Sequence, residues 1–277
     1  MKAKGRCEIM QSTWSKIGDG GTAELYLNED GKVVKLFREW FSEGSVRSEY
    51  RKSMWAYEDG VPTAKPLGMQ QYQGRQAILM EKVEGESLLE RLHRHPDTAA
   101  EAARTFADYQ VRLNARPAET LQDHQRERVV QRVIRAKQLE DRERKEVLAE
   151  LEKLPDDNRL CHGDYHPGNI MEAPDGWRVI DWIDATCGHP LYDPARTLLL
   201  IGFGIEQGGA RSTLEQAAHV FRETYLEAYI QLSGCSAADI QQWMLPAAAA
   251  RLIEPIPAAE KDKLLEWIRK RLNELNH

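Results

Sequence analysis

The first eighty residues alternate between short apolar runs and turn-forming breaks, a pattern that predicts strands. "AELYL" (23–27) and "KVVKLF" (32–37) are rich in β-formers and flank "NEDG", a hairpin signal. "GSVRSEYRKSMWAYEDG" (44–60) instead repeats Val46, Tyr50, Met54 and Tyr57 at three- and four-residue steps, the period of a helix. Gly60 ends that helix and Pro62 keeps it ended. "QAILMEKV" (76–83) is a further apolar strand.

From residue 84 the period changes. Ser87 and Glu90 form an S-x-x-E capping box ahead of "LLERL". Helices are expected at about 98–114, 121–139 and 142–154, the last capped by Asp141. Their dense Arg and Glu read as a solvated face with i,i+4 pairs. Residues 160–184 return to strand and loop, and helices resume near 211–232, 236–253 and 258–275. A β-rich start and a helical remainder predict an α+β, two-lobed protein, with a β-rich lobe at 1–83 and a helical lobe at 84–277.

Composition narrows the class. At 277 residues, 42% hydrophobic and 30% charged, the chain is an ordinary globular protein. A formal charge of −6 and a pI near 5.8 argue against a nucleic-acid or anionic-membrane partner. The N-terminal "MKAKGRCEIMQSTWSK" has no apolar core of secretory length, and the longest apolar run, "LLLIGFGI" (198–205), is too short to cross a bilayer. Cys7, Cys161, Cys187 and Cys235 form no CxxC pair, which points to reduced thiols in a cytoplasmic protein. Nothing in the sequence speaks to oligomeric state.

The densest chemistry lies in "CHGDYHPGNI" (161–170), followed by "MEAPDGWRVID". "PDG" suits a three-residue hairpin loop, with Gly176 as the left-handed third position. Closure by Ala173 and Trp177 would set Ile170 opposite Ile180 and Asn169 opposite Asp181. With Asp164 five residues upstream of Asn169, three oxygen-bearing side chains would converge, a donor set that suits Mg²⁺. D-x-x-x-x-N followed by a second Asp after a short hairpin is the arrangement of kinases. There the first Asp accepts the substrate hydroxyl proton while Asn and the second Asp hold the nucleotide's metal.

"HGDYHPGNI" with "VIDW" resembles the signature of the aminoglycoside phosphotransferase and choline kinase-like family of small-molecule kinases, which have a protein-kinase-like fold. Protein kinases usually carry Arg where Gly163 stands and Asp-Phe-Gly where 181–183 stands. "GHPLYDPA" (188–195) is similar to that family's G-D-P-x-x-D-x-A segment, with His189 in place of the usual Asp. The resemblance implies an ATP- and Mg²⁺-dependent phosphotransferase acting on a hydroxyl of a small polar molecule. Asp164 would be catalytic, and Asn169 and Asp181 would be the metal ligands. It also implies that Asp193 braces the catalytic loop, although a helix N-cap accounts for it equally.

The first half is then expected to hold the nucleotide. "IGDGGTAELY" (17–26) offers Gly18, Gly20 and Gly21, whose backbone N–H groups can approach phosphates; a plain hairpin with spare glycines would look the same. Lys35 sits inside an apolar strand, where an unpaired ammonium is costly to bury. By resemblance it contacts the α/β-phosphates and needs a carboxylate, with Glu49 ahead of Glu43 and Glu58. "LMEKVEGESL" (79–88) resembles the hinge whose backbone, near Glu81 and Val83, binds adenine.

Other readings have less support. H-x-D-x-H at His162, Asp164 and His166 could suggest a metallo-hydrolase, but no further spaced ligands accompany it. A catalytically inactive kinase-like binding module would be expected to have lost one of Asp164, Asn169, Asp181 or Lys35. A protein kinase would need more activation loop than 181–193 allows. For the acceptor, Trp182, Tyr192, Trp243 and Trp267 could form an aromatic cage, and Asp184, Glu223, Glu227 and Glu254 an acidic one, against the reading of core aromatics and surface acids.

Overall fold

The computed structural model describes residues 14–203 and 212–275. Cys7 and the last two positions of the 198–205 run lie outside them. The chain divides into two compact units: Met1–Glu86 with Ile170–Asp184, and Ser87–Asn169 with Ala185–His277. Residues 170–184 are thus grouped with the first unit, not with the helical one.

The first unit is built on an antiparallel sheet in the order β1–β2–β3–β5–β4, from β1 (Ser15–Asp19), β2 (Ala23–Leu27), β3 (Lys32–Phe37), β4 (Pro66–Tyr72) and β5 (Arg75–Glu81). Central β3 is buried on both faces. Val34 and Leu36 pack with Tyr72 and Ala77, while Phe37 on the other face packs with Val46 of α1 (Glu43–Glu58). Lys35 shares the α1 face, so strand alternation alone aims its stem at the helix. Gly60, at φ +74, ends the chain's helical course.

The same unit holds β8 (Ile170–Ala173) and β9 (Gly176–Val179), in a small sheet ordered β6–β8–β9 with β6 (Glu86–Ser87), whose first residue belongs to this unit. Here the expected register is off by one residue. Ala173 pairs with Gly176 and Ile170 with Val179, so the loop is the two-residue Pro174–Asp175. Gly176 spends its positive φ of 124 as the first residue of β9, not as the third of a longer loop. The ladder therefore sets no Asn169–Asp181 pair: Asn169 lies in a 3-10 turn before β8, and Asp181 lies beyond β9. Far from the turn, the Val179 N–H donates to the Pro62 carbonyl at 2.9 Å and Trp182 Nε1 donates to Thr63 Oγ1 at 2.9 Å. These anchors depend on long-range partners that turn chemistry cannot see.

In the second unit, α2 (Leu88–Arg94) starts on the expected Ser87–Glu90 capping box. α3 (Ala99–Asn114), α4 (Gln125–Arg135) and α5 (Asp141–Lys153) follow. α4 is shorter than 121–139 because the segment before it is used in extended form: the Cys187 N–H donates to the Asp123 carbonyl, and His124 bridges to Cys187. The N-cap of α5 is Glu140, and Asp141 is its first helical residue. β7 (Arg159–Cys161) pairs with β10 (Thr186–Gly188). The remaining helices are α6 (Tyr192–Phe203), α7 (Thr213–Ser233), α8 (Ala237–Arg251) and α9 (Ala258–Leu275). Trp182, Tyr192 and Trp243 are buried, so the core reading of those aromatics holds for all three.

Gly85 lies at φ +118, and a Cβ there would stand 2.1 Å from the Glu172 carbonyl oxygen. Gly85→Ala is expected to cost on the order of 2–3 kcal/mol. Gly21→Ala, whose Cβ would meet nothing within 4 Å, should stay within about 0.5 kcal/mol of the parent. Denaturant unfolding of the two variants checks this.

Candidate active site

The loop after β7 owes its shape to one buried carboxylate. Asp193, in the first turn of α6, accepts from the His162 N–H at 2.7 Å, the Gly163 N–H at 2.8 Å and Asn114 Nδ2 at 2.9 Å. Burial pushes the Asp193 carboxyl up, and these donors, with His162, pull against that. Gly163 adopts φ +76, a conformation that costs a side chain and so calls for glycine here. Its carbonyl accepts from Arg196 Nε. Thr197 Oγ1 donates to the Tyr165 carbonyl at 2.8 Å, so successive residues of α6 hold successive parts of the loop.

Histidines complete the scaffold. Nδ1 of His162, of His166 and of His189 each accepts a backbone N–H two residues ahead, from Asp164, Gly168 and Leu191. That leaves the proton of each neutral ring on Nε2. His162 and His166 are thus turn-formers, and among the described residues no group of three or more His, Cys, Asp or Glu is placed to hold a metal ion. His189 stacks on Trp243 at 5.1 Å between ring centres, and burial lowers its pKa.

Within this frame the Asp164 side chain is a quarter exposed, with His166 Nε2 and Arg196 Nη2 each 3.6 Å from its oxygens. Asn169 Nδ2 donates to the Asp164 carbonyl at 2.9 Å and to its Oδ2 at 3.2 Å. The amide orientation leaves Asn169 Oδ1 with no hydrogen bond among the described residues.

In the first unit, Lys35 Nζ donates to Glu49 Oε1 at 2.5 Å and to Asp181 Oδ1 at 2.9 Å. Glu49, not Glu43 or Glu58, is the partner; Glu43 pairs instead with Arg47. Burial disfavours the ammonium, but attraction to Asp181 and Glu49 outweighs it and raises the Lys35 pKa. One ammonium serves two carboxylates, and the more deeply buried of them yields. Burial pushes Glu49 up to about 7, against the pull of Lys35, and its Oε2 is buried with no hydrogen-bond partner. Asp181 sits at φ +69, an uncommon conformation for a residue with a side chain. Lys52 Nζ donates to the Ile183 carbonyl just beyond it.

In the first unit, Asp181 keeps a third of its side chain exposed with one oxygen on Lys35. In the second unit, Asn169 Oδ1 takes no hydrogen bond among the described residues. Each is a hard oxygen donor of the kind that suits Mg²⁺. The glycine-rich turn is closed by its own backbone: the Gly20 N–H donates to the Ala23 carbonyl at 2.9 Å, and Gly18 lies in β1. A Cβ on Gly21 would meet nothing, which leaves that backbone open to approach. At the end of β5, the Glu81 N–H donates to the Lys65 carbonyl at 2.9 Å, and Val83 follows outside the strand.

A model of the phosphotransferase enzyme family matches residues 13–235. The chain belongs to that family. No curated protein sequence matches this phosphotransferase. Among solved structures, an apo thermostable mutant of aminoglycoside phosphotransferase APH(4)-Ia is similar over 94% of this chain and 92% of its own, at 16% identity and TM-score 0.60. Aminoglycoside phosphotransferase APH(3'')-Id from Streptomyces rimosus, in complex with ADP and streptomycin, is similar over 86% and 92%, at 20% identity and TM-score 0.56. Amicoumacin kinase hAmiN, in complex with AMP-PNP and Ca²⁺, is similar over 95% and 89%, at 14% identity and TM-score 0.55. At these identities the likeness is one of fold, an α+β protein-kinase-like fold. No helix among the described residues is long and apolar enough to cross a membrane.

Sequence reasoning missed Arg196. Its side chain is 2% exposed, and Nη2 lies 2.7 Å from Glu254 Oε1 as well as near Asp164. Glu254 also takes Arg132 at 3.0 Å and Arg251 at 2.8 Å, so this acid is neutralised internally. "DPARTLLL" held the only signal, an arginine inside an apolar helix.

Two outcomes test this phosphotransferase's frame. Because the folded Glu49 value lies above its ordinary 4.5, its contribution to stability is full below that pH and is lost as pH rises through about 7. The thermal midpoint of wild type relative to Glu49→Gln should therefore fall across that window. Asp193→Asn turns an N–H donor toward backbone donors, and should cost about 2–4 kcal/mol in chemical unfolding.

Proposed function

We propose that this phosphotransferase moves the γ-phosphoryl group of ATP to a hydroxyl of a small molecule in a Mg²⁺-dependent reaction. The observation that carries the reading is the meeting of Glu49 and Asp181, 14 and 146 positions away in sequence, on the Lys35 ammonium. An ammonium held by two carboxylates is fixed in place, ready to meet phosphate oxygens with its third N–H.

Lys35 would hold the α/β-phosphates, with Gly18, Gly20 and Gly21 beside them and the backbone at Glu81 and Val83 binding adenine. Of the three glycines, Gly21 has the strongest geometric support, while the Gly20 N–H is already spent on the Ala23 carbonyl. Asn169 and Asp181 are the proposed metal ligands; Mg²⁺ bound there would neutralise charge on the transferring phosphates. Asp164 orients the acceptor hydroxyl and takes its proton late, because the transition state of phosphoryl transfer is loose. Asn169 Nδ2 and Arg196 fix the carboxylate's orientation for that task.

The acceptors and nucleotides of the solved structures support small-molecule phosphorylation as the class: streptomycin beside ADP in one, AMP-PNP with Ca²⁺ in another. A soluble, cytoplasmic enzyme without a nucleic-acid or membrane partner fits the acidic composition.

A positioned general base contributes about 10²–10⁴-fold. Asp164→Asn should accordingly lower acceptor-dependent ADP formation at least about a hundredfold, with its thermal midpoint little changed. Turnover near that of wild type would remove Asp164 from the mechanism.

A further inference from the structure

The second unit contains a cavity of about 480 Å³, within the range of small-molecule sites. α2 contributes Leu89, α6 contributes Leu200 and Ile201, and α7 contributes Leu214 and Phe221, while His166–Gly168 of the catalytic loop close one side. His166 joins this cavity to the proposed chemistry, because its Nε2 lies 3.6 Å from Asp164 Oδ2.

Among the described residues the lining offers a polycation little. The one carboxylate among them, Glu215, accepts the Ser212 N–H at 2.7 Å in the N-terminal cap of α7. His93 Nδ1 is bonded to the Leu89 carbonyl at 2.8 Å. Glu254, the acid nearest Arg196, is shared among three arginines. The exposed Glu223 and Glu227 of α7 are not among the lining residues.

We propose that the acceptor is an amphiphilic alcohol, whose uncharged apolar body fills this cavity while its hydroxyl reaches Asp164. This deepens the phosphotransferase reading and rests on it. Apolar contact with five large side chains would supply the binding, and the loop shared with Asp164 sets the reach. Each buried methylene is worth about fourfold in affinity, so even three of them separate a long-chain from a short-chain acceptor about sixtyfold.

The test uses the full chain with Mg·ATP and three probes: methyl β-D-glucoside, n-octyl β-D-glucoside below its micelle concentration, and the polycation kanamycin. Acceptor-dependent ADP formation and saturation-transfer NMR are read in parallel. The octyl glucoside should exceed the methyl glucoside at least thirtyfold in kcat/KM and in binding. Ala218→Trp, which fills the cavity from α7, should bring that ratio towards one. Leu89→Asp, at a half-exposed position that tolerates change, should do the same if the tryptophan variant misfolds. Equal binding of the two glucosides, a ratio untouched by both variants, or a preference for kanamycin overturns the proposal. Long-chain binding that the variants abolish, with no turnover of any probe, would instead overturn the acceptor role and leave an apolar-ligand site; loss of the phosphotransferase reading itself would show as ADP formation indifferent to Asp164→Asn.

Discussion

Asp193 is the constraint on which the loop after β7 depends. Its carboxylate lies 1% exposed and yet takes three hydrogen bonds, two of them from consecutive backbone N–H groups at 162 and 163. A buried acid is tolerable only when its lone pairs are filled. Those same donors would be orphaned without it, so loop and helix stabilise one another. The next turn of α6 extends the arrangement through Arg196 and Thr197. Behind Thr197 a chain of buried polar side chains runs through Gln110 to Tyr225, tying the loop to α3 and α7. A chain of buried hydrogen bonds of this kind rigidifies what it holds.

The first unit solves a different problem, that of burying a cation. Lys35 lies on the central strand, where alternation directs it at α1, and Glu49 stands on the facing side of that helix. The second carboxylate arrives from the 170–184 segment, which is fixed by bonds at Val179, Trp182 and Ile183. Asp181 reaches the ammonium from a left-handed backbone, a local cost that its ion pair offsets.

What could be read from sequence follows from range. β2 and β3 and the capping box of α2 rest on composition and period within a few dozen residues, while the Lys35–Glu49 pair was legible through the family resemblance. β1 and β4 escaped notice because β1 is almost wholly exposed and β4 mixes buried, half-buried and exposed positions, with little apolar alternation to see. The hairpin register failed by one residue because two- and three-residue loops share the same Pro-Asp-Gly chemistry. The choice between them was made by bonds to Pro62 and Thr63, more than a hundred residues away. Arg196, Asn114 and Gln110 act through hydrogen-bond partners between 33 and 115 positions away, and for Asn114 and Gln110 nothing local marks them.

Gly163 carries a consequence for descent. Its left-handed backbone is locked on one side by Asp193 and on the other by Arg196. An arginine here, where protein kinases usually carry one, would have to adopt that left-handed backbone at a steric cost or release one of the two locks. A single substitution at 163 therefore strains the loop through its main chain, whatever the new side chain touches.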